Sequence, residues 1–500
     1  MSTEPNNLGK QLKVGARWSG AEMLINVPVR LGTLAILARL LTPAEFGLFA
    51  AAVTVIEFIR PLGTLSMDHA VVQSKKLSSG SVAFASAFAI ALSSTVAALI
   101  ALNADAILLL YDDPQVPELL VALALSVPLA TLSGLLMAIL RRKLAFRELS
   151  IAIMLSSTLA AIASVLVAAA GWGVWALVAG YYLDLALRGV FAWLIVRPRF
   201  VRPRIGEETR GLLRFGVGGT LSLMLNFWAL HGDYVVIGSV LGAKPLGYYS
   251  RAYQLISTVP GMLGRLHNMV LFPAFSRAQS DRGYLGKALL TGTEATAAVT
   301  LPLCAWGVIL GQEIILVLLG PGWEDAVVPF QILSLGVYFR AGYQLAASIL
   351  LAKGHVFWLS ACQGIYGVLI VVGALFGSQW GIPGVATATL GALLVFYTLL
   401  YTLTALSSGA SGWSFIRVHA RPALVFAIVL ITAAPMRSWL HVLAWRPLPI
   451  LIVSVSLSGV ALLGATKLLK NRLWGDFLYQ YGLSAVAAVS SGGGNHKPGT

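Results

Sequence analysis

Apolar runs recur along nearly the whole chain, each of about 20 residues, the length a helix needs to cross a ~30 Å hydrocarbon core. Short polar stretches separate them. The pattern predicts about fourteen spans, at 17–41, 46–73, 81–110, 115–140, 149–170, 174–196, 212–241, 246–275, 287–311, 326–351, 355–377, 382–406, 420–436 and 448–468. Residues 1–16 read as a polar N-terminal segment. No cleavable leader is expected ahead of the first run, which is too long for one. Residues 471–500 read as a tail, with Ser490 to Thr500 rich in Ser and Gly and expected to be disordered.

Polar residues inside the runs are periodic. The first span carries Ser19, Glu22, Asn26, Arg30 and Thr33 at spacings of three and four, which is one face of a helix. The second carries Thr54, Glu57, Pro61, Thr64 and Asp68 on a similar stripe, with Arg60 one turn from Glu57. In the seventh, Ser222, Asn226 and Asp233 share a face; Arg251, Thr258 and Arg265 sit seven apart in the eighth, and Arg340 is near the middle of the tenth. A charge at mid-bilayer costs about 2.5–3.5 kcal/mol even on a lenient scale, so each calls for a reason. Pro28, Pro61 and Pro260 interrupt spans where a bend or hinge is expected.

Composition agrees with the pattern. Of 500 residues, 58% are hydrophobic and 11% charged, against roughly 25% charged in soluble domains. The net charge of +15 suggests a polyanion partner until its placement is examined. Counting span-end residues with their loops, 24 of the 35 Lys and Arg fall on one set of alternating loops and tails, three on the other, and eight within spans. The basic loops include Lys75-Lys76, Arg141-Arg142-Lys143, Arg197 to Arg210, Arg277 to Lys287 and Arg417 to Arg421; the opposite loops are short and acidic, as at Asp112-Asp113 and Glu324-Asp325. The bias therefore reports orientation, with both termini cytoplasmic, and not nucleic acid. Cys304 and Cys362 lie inside apolar runs and read as small apolar residues. His69, His231 and His267 have no companions at metal-ligand spacing, so no metal and no cofactor is expected.

The chain repeats at an offset of 200. Leu41-Thr-Pro-Ala-Glu-Phe-Gly47 falls on Leu241-Gly-Ala-Lys-Pro-Leu-Gly247 without a gap, and Asn26, Gly32, Ala52 and Ile56 match Asn226, Gly232, Ala252 and Ile256. Six spans separate the copies, so both run in the same direction. Parallel repeats in transporters place the substrate path between the halves.

Ala38-Arg-Leu-Leu-Thr-Pro-Ala-Glu-Phe-Gly-Leu-Phe49 resembles the first hairpin of polysaccharide transporters in the multidrug/oligosaccharidyl-lipid/polysaccharide exporter superfamily. So do Asp233 to Gly242 and Leu246-Gly-Tyr-Tyr-Ser-Arg-Ala252 at the start of the second half. The chain looks like the Wzx-type flippases of exopolysaccharide and lipopolysaccharide export. The resemblance implies an all-α membrane protein with two six-helix bundles in a V around a central cavity, over 17–210 and 211–410. Two additional helices would follow over 411–470. It implies a bacterial inner-membrane location, an undecaprenyl-diphosphate-linked oligosaccharide substrate, membrane lipids as surroundings, and polymerase and chain-length proteins as pathway partners.

Among the deep charges Arg outnumbers carboxylate, which favours an anion, and the planar guanidinium suits a diphosphate. Arg30, Arg60, Arg251, Arg265 and Arg340, with Asn26 and Asn226, are the expected substrate-binding residues. Glu57, Asp233 and Glu22 are expected to serve coupling or structural ion pairing, since Glu57 with Arg60 can equally be a buried pair joining helices. Asp233 has a second reading as a helix anchor accepting hydrogen bonds. Asp184 and Arg188, four apart, read as an intrahelical pair, and Gly216 to Gly219 as a close helix contact. A drug or cation antiporter of the same superfamily is the alternative, but it calls for carboxylates to dominate the cavity. A membrane polymerase is a third reading. It is disfavoured because the non-cytoplasmic loops are mostly under about fifteen residues, too small for a catalytic domain, and no enzyme activity is expected.

Overall fold

A computed structural model of the chain describes residues 5–74, 77–198, 201–267, 271–409 and 412–469. Lys75, Lys76 and the tail 471–500 lie outside the described residues. Among these residues every regular element is helical. In order they are α1 (Pro5–Leu40), α2 (Pro43–Thr64), α3 (Met67–Gln73), α4 (Ser79–Leu102), α5 (Gln115–Ala124), α6 (Ser126–Arg142), α7 (Phe146–Ala169), α8 (Trp175–Val196), α9 (Glu207–Val236), α10 (Ala243–Leu266), α11 (Phe272–Arg277), α12 (Arg282–Ile309), α13 (Gly311–Leu318), α14 (Val327–Ser334), α15 (Gly336–Ala352), α16 (Val356–Gly377), α17 (Gly381–Ser408), α18 (Gly412–Val442) and α19 (Pro447–Leu469).

Length and apolarity pick out ten of the described helical stretches as able to cross a membrane, or eleven if the bent pair α14–α15 is one span. Two features separate that number from the fourteen expected. The stretch Val356–Ser408 counts once but holds both α16 and α17. Helices α9 and α10 carry the polar stripes of the second half and are less apolar for it. The large exposed hydrophobics, such as Leu24, Leu99, Leu166 and Val372, are what a lipid solvent accommodates without cost.

Several expected spans are broken. The second stops at Thr64, where Leu65 and Ser66 both take left-handed backbone (φ 44° and 46°), and α3 resumes at Met67. The Leu65 N–H donates to Pro61 O at 2.9 Å, so the break lies one turn past the proline that predicted a bend. The fourth is divided at Leu125, and the tenth turns by 42° at Leu335. Conversely, the helix expected at 420–436 spans Gly412–Val442, so the basic residues from Arg417 to Arg421 are helical and not a loop.

The chain divides into two compact units. The first comprises residues 1–255, 318–329 and 363–392; the second comprises 256–317, 330–362 and 393–500. In the first, α7 lies between α1 and α8, and α6 packs on α4 and α8. Ala-rich faces allow this: Ala85, Ala89, Ala138, Ala152 and Ala192 are all buried at 0–1% exposure. In the second, α12 packs on α15 and α18, and α18 on α19.

Within the first unit, the hairpins matched by the 200-residue offset meet backbone to backbone. A Cβ on Gly47 would stand 1.7 Å from Ala243 O, and one on Gly247 would stand 1.8 Å from Pro43 O. Each glycine therefore seats the carbonyl that opens the other's helix. Only residues without a side chain allow that approach. Around this contact, Trp323 donates its indole N–H to Ala38 O (3.0 Å) and stands edge-on to Phe46 and Tyr248. The two hairpins are nevertheless built differently. Thr42 and Glu45 form a reciprocal capping box at the start of α2, whereas a π-helical turn (Ile237–Leu241) and Gly242 at φ 92° precede α10.

Candidate substrate site

Helix α2 carries Glu57 and Arg60 one turn apart, just before its break. The turn brings Arg60 Nη2 to 2.6 Å from Glu57 Oε2, and Tyr181 on α8 donates its hydroxyl to Glu57 Oε1 at 3.3 Å. Helix α8 repeats the device with Asp184 and Arg188, paired at 2.7 and 3.0 Å. Both guanidiniums are held by a carboxylate on their own helix, the i,i+3 and i,i+4 arrangement, and both remain partly exposed. The break after α2 is itself held by α9. Gly216 lies where a Cβ would be 2.4 Å from Leu65 O, and Thr220 shares a hydrogen bond with Ser66 (3.3 Å) and donates to Pro61 O (3.3 Å). The glycine patch expected to mark a close helix contact does so here.

These elements line an open-sided cavity of about 250 Å³ within the first unit. Arg60, Arg141 and Arg188 reach it, together with Asp68 and His69 from α3. Helix α6 supplies Thr131, Ser133 and Gly134. Arg142, next to Arg141, points elsewhere and donates to Val71 O and Ser74 O, capping the end of α3. A site built this way can hold an anion by charge-assisted, bidentate hydrogen bonds from the guanidiniums. It can hold hydroxyl groups by the α6 side chains. Arg60 and Arg188 each keep a local counter-ion, so the field that an entering anion meets is weaker than a count of arginines suggests.

The residues expected to bind substrate do not all come together. Arg60 lines the cavity. Arg30 is exposed on α1, within electrostatic reach of Arg251, whose guanidinium stacks 5.0 Å from the centre of the Phe46 ring. Arg265, exposed, and Arg340, buried, belong to the second unit. Asn26 accepts from Ser157 (2.7 Å) and Glu22 from Ser150 (3.1 Å), so this part of the α1 stripe is engaged by α7. Asn226 is half-buried on α9. Asp233 is buried and accepts from the Tyr249 hydroxyl (2.7 Å) and the Tyr234 N–H (2.9 Å), while Tyr249 also meets Thr389 at 3.1 Å. That is the anchoring geometry, one of its two expected roles.

Sequence reasoning placed Pro61, Thr64 and Asp68 on the stripe of Glu57, and all three line the cavity. The Asp184–Arg188 pair is legible in the sequence, but not that Arg188 faces the same space as Arg60; Arg141, read as part of a basic loop, and His69, read only as lacking metal-ligand companions, line that space as well. In the second unit sequence reasoning missed Glu313, 1% exposed, whose Oε1 accepts from Arg437 Nε (2.7 Å) and His441 Nε2 (2.5 Å) and so joins α13 to α18. One acidic residue in an otherwise apolar run was the available signal.

Comparison with known proteins bears on both fold and family. A family model described as polysaccharide biosynthesis protein matches residues 36–328. The chain is 30% identical to the succinoglycan biosynthesis transport protein ExoT of Rhizobium meliloti over 313 residues, 62% of this chain and 63% of that protein. It is 24% identical to the lipopolysaccharide biosynthesis protein WzxC of Escherichia coli over 388 residues, 76% of this chain and 77% of that one. Among solved structures it is similar to the lipid II flippase MurJ in an inward closed conformation. The TM-score is 0.71 at 12% identity, with 92% of this chain and 99% of that chain covered. An inward-facing multidrug resistance MATE family transporter gives a TM-score of 0.62 at 13% identity, over 79% of this chain and 95% of that chain. At such identities these two likenesses establish the fold alone.

Proposed function

The chain belongs to the polysaccharide biosynthesis protein family, and on that premise we propose that it flips an undecaprenyl-diphosphate-linked oligosaccharide across the bacterial cytoplasmic membrane. The polymer served is an exopolysaccharide or a lipopolysaccharide. The anionic head group enters among guanidiniums while the polyprenyl tail stays in lipid, and alternating access exposes it on the far side. The observation that carries this reading is the cavity of the first unit, where Arg60 and Arg188 stand at the wall of a space that also offers hydroxyl groups. Arg30 and Arg251, near one another in the same unit, extend the cationic surface available to the diphosphate or to acidic sugars. Glu57 and Asp184 fix the arginines in place, and the residues that line the cavity include three arginines, Arg60, Arg141 and Arg188, against one carboxylate, Asp68, a balance that disfavours a cationic drug. The polymerase and chain-length proteins of the pathway are the expected partners that receive the product.

The test is polymer export in cells that depend on this chain. Replacing Arg30 and Arg60 together by Ala abolishes export while the protein still reaches the membrane at normal abundance. Unchanged export from that double variant removes both residues from the transport path.

A further inference from the structure

We infer that the cavity of the first unit seats a single sugar with the phosphate attached to it, and that Arg188 binds this group instead of serving only as an ion-pair partner. The inference rests on the transport reading above and narrows which part of the substrate the cavity holds.

Size comes first. The cavity measures about 250 Å³, just under the roughly 300–1,000 Å³ of pockets for whole drug-sized ligands. One sugar ring and a phosphate fill such a space, so the rest of an oligosaccharide repeat unit lies outside it. The chemistry of the wall divides in the same way. Arg60 and Arg188 come from different helices, and each is oriented by a carboxylate three or four residues earlier. Their planar forks match phosphate oxygens. On α6, Thr131 and Ser133 donate their hydroxyl protons to Val127 O (2.8 Å) and Ala130 O (3.1 Å), which leaves lone pairs to accept from sugar hydroxyls. Leu135, Leu185 and Ile153 give the C–H face of a ring an apolar surface.

The third observation is Gly134. It lies inside α6, where glycine is the costliest residue after proline. A Cβ built on it meets nothing within 4 Å, and the residue lines the cavity. No neighbouring helix needs the glycine for a close approach. The space it leaves belongs to the cavity.

The experiment uses the full chain, purified in lipid nanodiscs, and two probes: a short-chain isoprenyl diphosphate bearing one hexose, and the same isoprenyl diphosphate without it. Wild type binds the hexose-bearing probe about tenfold more tightly, since buried groups built for hydroxyls discriminate against a ligand lacking them. Gly134→Phe erases that difference; should it fold poorly by its melting curve, Gly134→Val makes the same test. Arg188→Lys keeps a charge beside Asp184 but loses the fork, and it weakens the hexose-bearing probe about tenfold. Asp184→Asn breaks the ion pair but keeps the guanidinium, and it binds at least as tightly as wild type. A purely structural pair gives the reverse order for these two variants. The inference is overturned if folded Gly134→Phe and Arg188→Lys proteins bind both probes as wild type does. In that event wild-type binding of the probes still supports the transport reading. Failure of wild type to bind either probe removes both.

Discussion

Replacing Gly47 by Ala tests whether the two matched hairpins are held by direct backbone contact. The new methyl carbon would stand 1.7 Å from Ala243 O and 2.5 Å from Ala243 C. Both are main-chain atoms that no rotamer change can move. Ordinary contact begins at 3.4 Å, so the hairpins must part by about 1.7 Å, more than a close-packed interior tolerates without loss of neighbouring contacts. Overpacking of this kind costs about 1–3 kcal/mol, and a rigid obstacle places it at the upper end. The gain in helix propensity from Gly to Ala returns about 1 kcal/mol. The net loss is about 2 kcal/mol, read as a melting temperature about 2 °C below wild type in detergent, since a chain of 500 residues has an unfolding entropy of about 1 kcal/mol/K. Gly32→Ala is the control, because a Cβ there meets nothing within 4 Å; it melts at or slightly above wild type. Gly247→Ala meets Pro43 O at 1.8 Å and costs as much as Gly47→Ala. Once one substitution has parted the hairpins, the second finds room, so the double variant loses less than the sum of the two. If Gly47→Ala melts with wild type, or the two losses simply add, the reciprocal contact does not hold the hairpins and the reasoning fails.

Two further predictions concern stability. Trp323→Ala removes a 1% exposed side chain, its hydrogen bond to Ala38 and its edge contacts with Phe46 and Tyr248. It should cost about 3–5 kcal/mol, measured by thermal or denaturant unfolding. Glu313→Ala leaves Arg437 and His441 without their shared acceptor. Because both donors are partly exposed, the loss is about 1–3 kcal/mol. Glu313→Gln, which retains an acceptor oxygen, loses less in the same measurement.

The parts of this architecture that sequence reveals follow from what periodicity measures. Spacing places Glu22, Asn26 and Arg30 on one face of α1, but it does not say what packs there; Ser150 and Ser157 of α7 take the first two. Hydropathy finds a long run from 46 to 73 but cannot see that the chain turns at Leu65 and Ser66, since the turn is a change of backbone dihedrals and not of polarity. Pro61 indicated a bend, and the bend lies one turn beyond it. The Asp184–Arg188 pair is visible because its partners share a helix. The space beside Gly134 is not, because it depends on how α2, α6 and α8 meet. Glu313 escaped for the same reason, its donors Arg437 and His441 lying on α18. The 200-residue offset is the most informative signal of all, since it pairs Gly47 with Gly247, the two glycines through which the hairpins meet.

The placement of counter-ions has a consequence for how the chain enters the bilayer during synthesis. A lone Arg at the centre of an inserting helix costs about 2.5–3.5 kcal/mol at the translocon. Arg60 and Arg188 avoid much of that penalty, because Glu57 and Asp184 are one turn away and each pair closes as soon as its own helix winds. Helices α2 and α8 can therefore leave the translocon close to neutral, whichever neighbours have already emerged. Glu313 has no such local relief. Its partner Arg437 is made 124 residues later, so a nascent chain halted before α18 carries a carboxylate still waiting for its guanidinium. Such an unfinished chain is the form that membrane quality control has a charge to recognise.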